Sequence, residues 1–288
     1  GRKHTLKLKV TDSTDNWFQP RGKQVTNPEG IWYTAVTGIW QTAWMEPVPD
    51  AHIDSYYAVS DIDAATLAVS VDVSLAEGDV VEVVLFADGV PVSKAEGREV
   101  TLAVPEMRLW SPSEPYLYDL EIKVLRDGAT IDAVKGYTAM RKISFARDEA
   151  GHKRMLLNNQ PLFQYGPLDQ GWWPDGLYTA PSDEALAFDI EKTKEMGFNL
   201  IRKHVKVEPA RWYWHCDRLG MLVWQDMPSV KHDDNKWAPY AFDQGTDSQL
   251  DQAGKDNYYH EWGEIIKDFK VFPSIVVWVP FNEAWGQF

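Results

Sequence analysis

The chain has 288 residues, 44% hydrophobic and 25% charged, ordinary globular proportions that exclude wholesale disorder. A formal net charge of −14 argues against nucleic acid or an anionic membrane surface as a partner, since a polyanion would be repelled over most of the molecule. No apolar run reaches the roughly 18 residues needed to span a bilayer, so no membrane insertion is expected, and the single cysteine, Cys216, rules out an internal disulfide.

Residues 1–145 read as strands. Thr5–Val10 alternates, with Leu6, Leu8 and Val10 on one side and Lys7 and Lys9 on the other, the pattern of a half-buried strand. A polar loop follows through Pro20 and Gly22, and Gly38–Glu46 reads as a further strand broken by Pro47 and Pro49. From Ala51 onward short alternating strands recur: Ala65–Ser74, Asp79–Ala87, Arg98–Val104 and Tyr118–Arg126. Glu77-Gly78, Asp88-Gly89 and Asp127-Gly128 supply turns between them. Such spacing predicts an antiparallel sandwich of the immunoglobulin type over residues 49–145, preceded by a shorter β-module over 1–48.

After about residue 146 the pattern changes to strand–helix alternation. Phe163–Gly166 is a short apolar strand. Ser182 caps a helix to Met196, with Ala185, Phe188, Ile190 and Met196 facing inward and Gly197 ending it. Asn199–His204 is a strand, Pro209–Leu219 a helix stopped by Gly220, and Met221–Asp226 a strand. A polar loop over Lys231–Asp247, a helix over Leu250–Lys270 and a strand over Ser274–Phe281 complete the series. Alternation of this kind builds buried parallel strands. A closed eight-stranded (β/α) barrel takes about 250 residues, so residues 146–288 hold only its first half. The chain therefore reads as part of a longer protein, and the exposed edge of a half barrel would suit a second copy in a homo-oligomer.

Nine of the 14 tryptophans fall after residue 150, at a density that either builds a large core or lines a site where flat apolar faces are wanted, as sugar rings want them. The last predicted strand delivers Asn282-Glu283 at its C-terminal end between Trp278 and Trp285. Active sites of barrels form at that end. A carboxyl beside indole rings is partly desolvated, which suits a proton donor. Glycoside cleavage needs such an acid, and a second carboxylate across the sugar. By position alone, Glu283 is equally well a surface carboxylate capping the next helix.

The segment from Phe272 to Gln287 resembles the acid/base signature of glycoside hydrolase family 2, the group of β-galactosidases, β-glucuronidases and β-mannosidases. Thr37-Gly-Ile-Trp40 resembles the edge of that family's sugar-binding-type jelly roll, and Leu109-Trp-Ser-Pro-Ser-Glu-Pro-Tyr-Leu-Tyr118 resembles its immunoglobulin-like domain. Gly197-Phe-Asn-Leu-Ile-Arg202 and Cys216-Asp-Arg-Leu-Gly-Met-Leu-Val-Trp224 resemble strands two and three of its barrel. The resemblance implies a multidomain chain: a jelly-roll remnant (1–48), an immunoglobulin-like sandwich (49–145) and the first half of a TIM barrel (146–288). It implies retaining, exo-acting hydrolysis of β-linked terminal sugars, β-galactosidase-like, with a carbohydrate substrate and no cofactor. Glu283 then stands in the place of the general acid/base, Asn282 in that of the contact to the sugar 2-hydroxyl, and Arg202 in that of the arginine orienting the nucleophile. His204 resembles a substrate-site histidine, although it follows the arginine by two residues where three is usual. Gln225-Asp226 stands where many members have Asp-Glu, which makes Asp226 a sugar contact. The nucleophile lies on a later strand in the family.

Trp172 and Trp173 follow the first barrel strand as a sugar platform or a packed loop, and Trp285 is a candidate apolar wall. His204, Lys206 and Glu208 lack the spacing of a zinc set. Some family galactosidases hold magnesium near the acid/base, but no matching ligands stand here, so no metal is expected. Asp233-Asp234 reads as solvated and Cys216 as inert core. Two further readings stay open: a non-catalytic carbohydrate-binding or scaffold protein with these folds, and a self-contained site in which Asp226 partners Glu283. Export to the periplasm or medium suits a polysaccharide-degrading enzyme, and no residue pattern here specifies it.

Overall fold

A computed structural model describes residues 3–230, 250–284 and 287–288. The loop expected over Lys231–Asp247, with Asp233 and Asp234, and the candidate wall Trp285 lie outside the described residues. No described helix is long and apolar enough to cross a membrane.

The N-terminal segment departs from expectation. No strand forms at 5–10 or 38–46; the regular pairing before residue 50 is a parallel bridge between β1 (Gln24–Val25) and β2 (Tyr33–Thr34). Leu6, Leu8, Ile39, Trp44 and Met45 are exposed. Alternation creates an apolar face, but a strand needs a neighbouring edge to pair with, and these stretches meet none among the described residues.

The next module follows its pattern closely. β3 (His52–Asp61), β4 (Thr66–Ser74) and β7 (Glu99–Ala103) form one antiparallel sheet in the order β3-β4-β7. A second sheet has the order β6-β5-β8-β9, from β5 (Val80–Ala87), β6 (Val90–Glu96), β8 (Tyr118–Arg126) and β9 (Ala129–Thr138). Alternate residues meet in one shared core: Leu67, Val69, Val71 and Val73 from β4 against Val81, Val83 and Leu85 from β5 and Leu120, Ile122 and Val124 from β8. The hairpins turn at Asp88-Gly89 and Asp127-Gly128, each pair with positive φ, the backbone that matches strand twist. A small antiparallel sheet of β10 (Ile143–Arg147), β11 (Lys153–Leu157) and β12 (Gln160–Pro161) then bridges residue 145.

Downstream lie four parallel strands in sequential order, β13 (Leu168–Asp169), β14 (Leu200–Lys203), β15 (Leu222–Asp226) and β16 (Ile275–Val279). Helices α1 (Asp183–Glu195), α2 (Ala210–Leu219) and α3 (Gln252–Phe269) connect them. The first strand forms later than Phe163–Gly166; Phe163 and Tyr165 are exposed, and Tyr165 is tied to Asn199 by backbone and side-chain bonds outside any strand. Helix α1 is capped as expected by Ser182, whose hydroxyl accepts from the Ala185 N–H. Its inward face is Leu186, Ala187 and Ile190; Ile190 is buried as expected, whereas Phe188 and Met196 are exposed.

The pleat gives the parallel sheet two distinct faces. Ile201, Val223 and Ile275 pack against Leu186 and Ile190 of α1 and Trp212, Tyr213 and Cys216 of α2. Leu200, Leu222, Trp224 and Val276 point the other way, toward Trp110 and Ala139. The two β-rich and α/β parts are bolted together by polar bonds as well. The Trp110 indole donates to the Asp217 carbonyl at 2.8 Å, and Arg141 donates to the carbonyls of Pro273 and Ile275 at 3.0 and 3.1 Å.

Candidate active site

Parallel strands end together, so whatever their last residues carry is gathered on one side of the sheet. By pleat alternation Arg202 and Asp226 share the face of Leu200 and Trp224, whereas Lys203 and Gln225 share the helix-covered face. Two polar clusters result.

On the first face, Arg202 grips Asp226 with two bonds, Nε to Oδ1 and Nη2 to Oδ2, both 2.9 Å. The same Nη2 donates to Asn282 Oδ1 at 2.8 Å. His204 Nδ1 lies 3.1 Å from Asp226 Oδ2. Four expected site residues, contributed by the ends of β14, β15 and β16, are thus one hydrogen-bonded unit. Asp226 has 0% exposure and both oxygens engaged, so it serves as the anchor of Arg202 and His204 and has no surface for a sugar. Asn282 is buried, and the next residue, Glu283, is exposed in a 3-10 turn with φ 48° and ψ 35°. The desolvation expected for Glu283 is therefore not found among the described residues. A left-handed backbone is strained for a residue with a Cβ and costs of order 1–2 kcal/mol. Val205, directly after His204, carries the same kind of strain at φ 47°, a rarer one for a β-branched residue.

On the helix-covered face, Lys203 donates to Asp169 Oδ2 at 2.6 Å and to Glu208 Oε1 at 2.9 Å. Lys206 lies 3.1 Å from that same Oε1 and donates to the carbonyls of Gly171 and Tyr178. Burial pushes the Asp169 carboxyl up, but the Lys203 ammonium and hydrogen bonds more than reverse this and hold it below its ordinary value. This network was missed in the sequence. Its signal was there: two consecutive cations, Arg202 and Lys203, at the end of an otherwise apolar buried strand. With opposite pleats, each needs its own counter-charge. The network braces the loop of Trp172 and Trp173, because Gly171 (φ +65°) sits so close to Glu208 that a Cβ would lie 2.1 Å from its carboxylate oxygen.

Trp172 stacks flat on Tyr33 at 4.5 Å and meets Tyr178 edge-on. Trp173 is partly buried, and its backbone is paired with Leu177. Cys216 is wholly buried in the helix-side core. Among the described residues no group of three or more His, Cys, Asp or Glu side chains is arranged to hold a metal ion.

Residues 51–141 match the model of glycosyl hydrolases family 2. Curated relatives include a β-galactosidase of Thermoanaerobacter pseudethanolicus, 25% identical over 234 residues, covering 73% of this chain and 30% of that protein. A putative β-glucuronidase of Formosa agariphila is 23% identical over 267 residues, covering 86% of this chain and 29% of that protein. Among solved structures, a β-glucuronidase from Ruminococcus gnavus in complex with C6-substituted uronic isofagomine superposes with a TM-score of 0.68 at 21% identity, over 81% of this chain and 38% of that one. The β-D-glucuronidase of Dictyoglomus thermophilum gives 0.69 at 21%, over 81% and 39%. The family-model match and the curated relatives together support membership of glycosyl hydrolases family 2, and the chain spans less than half the length of these relatives.

Proposed function

We propose that this chain forms part of a retaining exo-glycosidase that hydrolyses β-linked terminal sugars, β-galactosidase-like in its chemistry. One observation carries the reading: Arg202, Asp226 and Asn282, from three neighbouring strand ends, are locked into one unit beside Glu283. Preorganised polar groups at the C-terminal ends of parallel strands are where barrel enzymes work. In this reading residues 146–288 supply the first half of a (β/α) barrel, 49–145 an immunoglobulin-like sandwich and 1–48 part of a jelly roll.

Glu283 protonates the glycosidic oxygen as the bond to the leaving group breaks. Its carboxylate then takes a proton from the water that releases the sugar from the nucleophile. Asn282 accepts from Arg202 through Oδ1, which fixes its amide and leaves Nδ2 free to donate to a sugar hydroxyl. Arg202, its charge balanced by buried Asp226, orients the carboxylate nucleophile, and Trp172 and Trp173 form apolar walls. The relatives divide between β-galactosidases and β-glucuronidases, so the terminal sugar is a separate question from the chemistry.

The test is Glu283→Gln in the complete protein. Hydrolysis of aryl β-glycosides with poor leaving groups should fall by about 10²- to 10⁴-fold. Azide should restore turnover of substrates with activated leaving groups, by attacking the glycosyl intermediate without needing a base. Unchanged turnover in the variant would remove Glu283 from the mechanism. The 288-residue chain alone, assayed on the same panel, asks whether both carboxylates lie within it; turnover that is lost on Glu283→Gln would place the second one here.

A further inference from the structure

The stretch ahead of the sandwich, poor in regular structure, is tied directly onto the candidate site. The backbone N–H groups of Arg21 and Gly22 both donate to the Ser229 carbonyl, just past β15, at 3.0 Å. Gly22, at φ +60°, lies so close over Val205, just past β14, that a Cβ would sit 2.3 Å from its carbonyl oxygen. Tyr33 donates its N–H to the Lys23 carbonyl at 2.9 Å and stacks on Trp172. Lys23 is therefore held over the ends of the parallel strands by neighbours on both sides.

Its side chain is half-buried. Burial lowers its ammonium pKa, and the carboxylate of Glu283 acts in the opposite direction, which puts the two groups within electrostatic reach. The other cations at this end are already satisfied: Arg202 by Asp226 and Asn282, Lys203 by Asp169 and Glu208, and Lys206 by Glu208 and two carbonyls. Among the described residues, no hydrogen bond or ion pair engages the Lys23 ammonium. A partly dehydrated ammonium regains most from an anionic oxygen, because charge-assisted hydrogen bonds are about twice as strong as neutral ones.

We propose that Lys23 is a specificity-determining residue, delivered to the barrel site by the N-terminal segment, whose ammonium binds an anionic oxygen on the sugar lying against Glu283. The shared chemistry is a carboxylate or a sulfate ester, so the substrate class is a uronide or a sulfated glycoside. The inference rests on the glycosidase reading. It goes beyond that reading in assigning a site role to a residue outside the barrel.

The test uses the complete protein as wild type, Lys23→Met, Lys23→Arg and Glu283→Gln. The substrates are three aryl β-glycosides: a uronide, a sulfated hexoside and the same hexoside unsulfated. Lys23→Met should lower the ratio of kcat/KM on the anionic substrate to that on the neutral one by about tenfold or more, chiefly through KM. Lys23→Arg should restore most of that ratio. The anionic substrate whose ratio falls identifies the group, carboxylate or sulfate. A ratio unchanged by Lys23→Met overturns the proposal, as does a wild type active only on the neutral hexoside. A ratio lost in Lys23→Met but not regained in Lys23→Arg, together with a lowered melting temperature in both, assigns Lys23 a structural part and also overturns it. The underlying reading fails separately: Glu283→Gln would then match wild type on every substrate. An inactive Glu283→Gln beside an unchanged Lys23→Met ratio removes the Lys23 assignment alone.

Discussion

Arg202 shows how one side chain can be both structural and functional. Its guanidinium forks across the two Asp226 oxygens and still reaches Asn282, a geometry that uses three of its coplanar N–H donors at once. Lysine offers a point charge on a flexible stem. Arg202→Lys should therefore keep the fold while lowering kcat/KM by about 100-fold, the scale set by misplacing a positioning group by an ångström; steady-state kinetics beside circular dichroism would check it. Asp226→Ala acts differently. It strips a half-exposed cation of its buried partner, and we expect a loss of about 2 kcal/mol in denaturant unfolding, below the figure for a fully buried pair because Arg202 regains some water.

Single turns decide how the elements meet. Helix α1 starts where the Ser182 hydroxyl takes the Ala185 N–H, so Ser182→Ala should cost about 1 kcal/mol without touching activity. Gly22 is held to a stricter requirement, by its positive φ and by the Val205 carbonyl above it. Gly22→Ala should lift the N-terminal segment from the strand ends. The expected signs are faster proteolysis within residues 12–40 and a stability loss of about 2 kcal/mol, from strain and the lost Ser229 bonds. Unchanged protease sensitivity would show that the segment is held elsewhere.

At the scale of the whole molecule, the junction between the β-rich part and the parallel sheet turns on Asp217. Its carboxylate accepts from the Ser274 N–H and the Tyr137 hydroxyl, both at 2.7 Å. Burial pushes its pKa up from 3.8 to about 7, against the pull of those bonds and of Arg141. A raised carboxyl binds its proton more tightly folded than unfolded, so its contribution to stability is complete below about pH 4 and lost as pH rises toward 7. The unfolding free energy of the wild type minus that of Asp217→Asn should therefore fall by about 1.4 kcal/mol per pH unit across that window and level off above it. Urea melts at half-unit pH steps would show the slope, and a pH-independent difference would mean that Asp217 is ionised throughout.

Period-2 alternation and Asp-Gly turns made the sandwich strands legible, because a half-buried strand repeats its burial every second residue. Caps and stops made the first two helices legible, since Ser182 and Gly220 act on their own neighbours. The position of Glu283 at a strand end and the Arg202 motif could also be read locally. Strand formation at 5–10 and 38–46 could not, because pairing depends on an edge elsewhere in the fold. Nor could the inward stripe of α1, which depends on how the helix is seated on the sheet. Only the tertiary structure decided that Asp226 is an anchor, that Lys203 and Lys206 share Glu208, and that Lys23 comes to lie near Glu283 some 260 residues away. Local pattern records what a residue does to its own element. Which charges end up beside one another is set by the packing of strands distant in sequence, and that packing leaves no periodic trace.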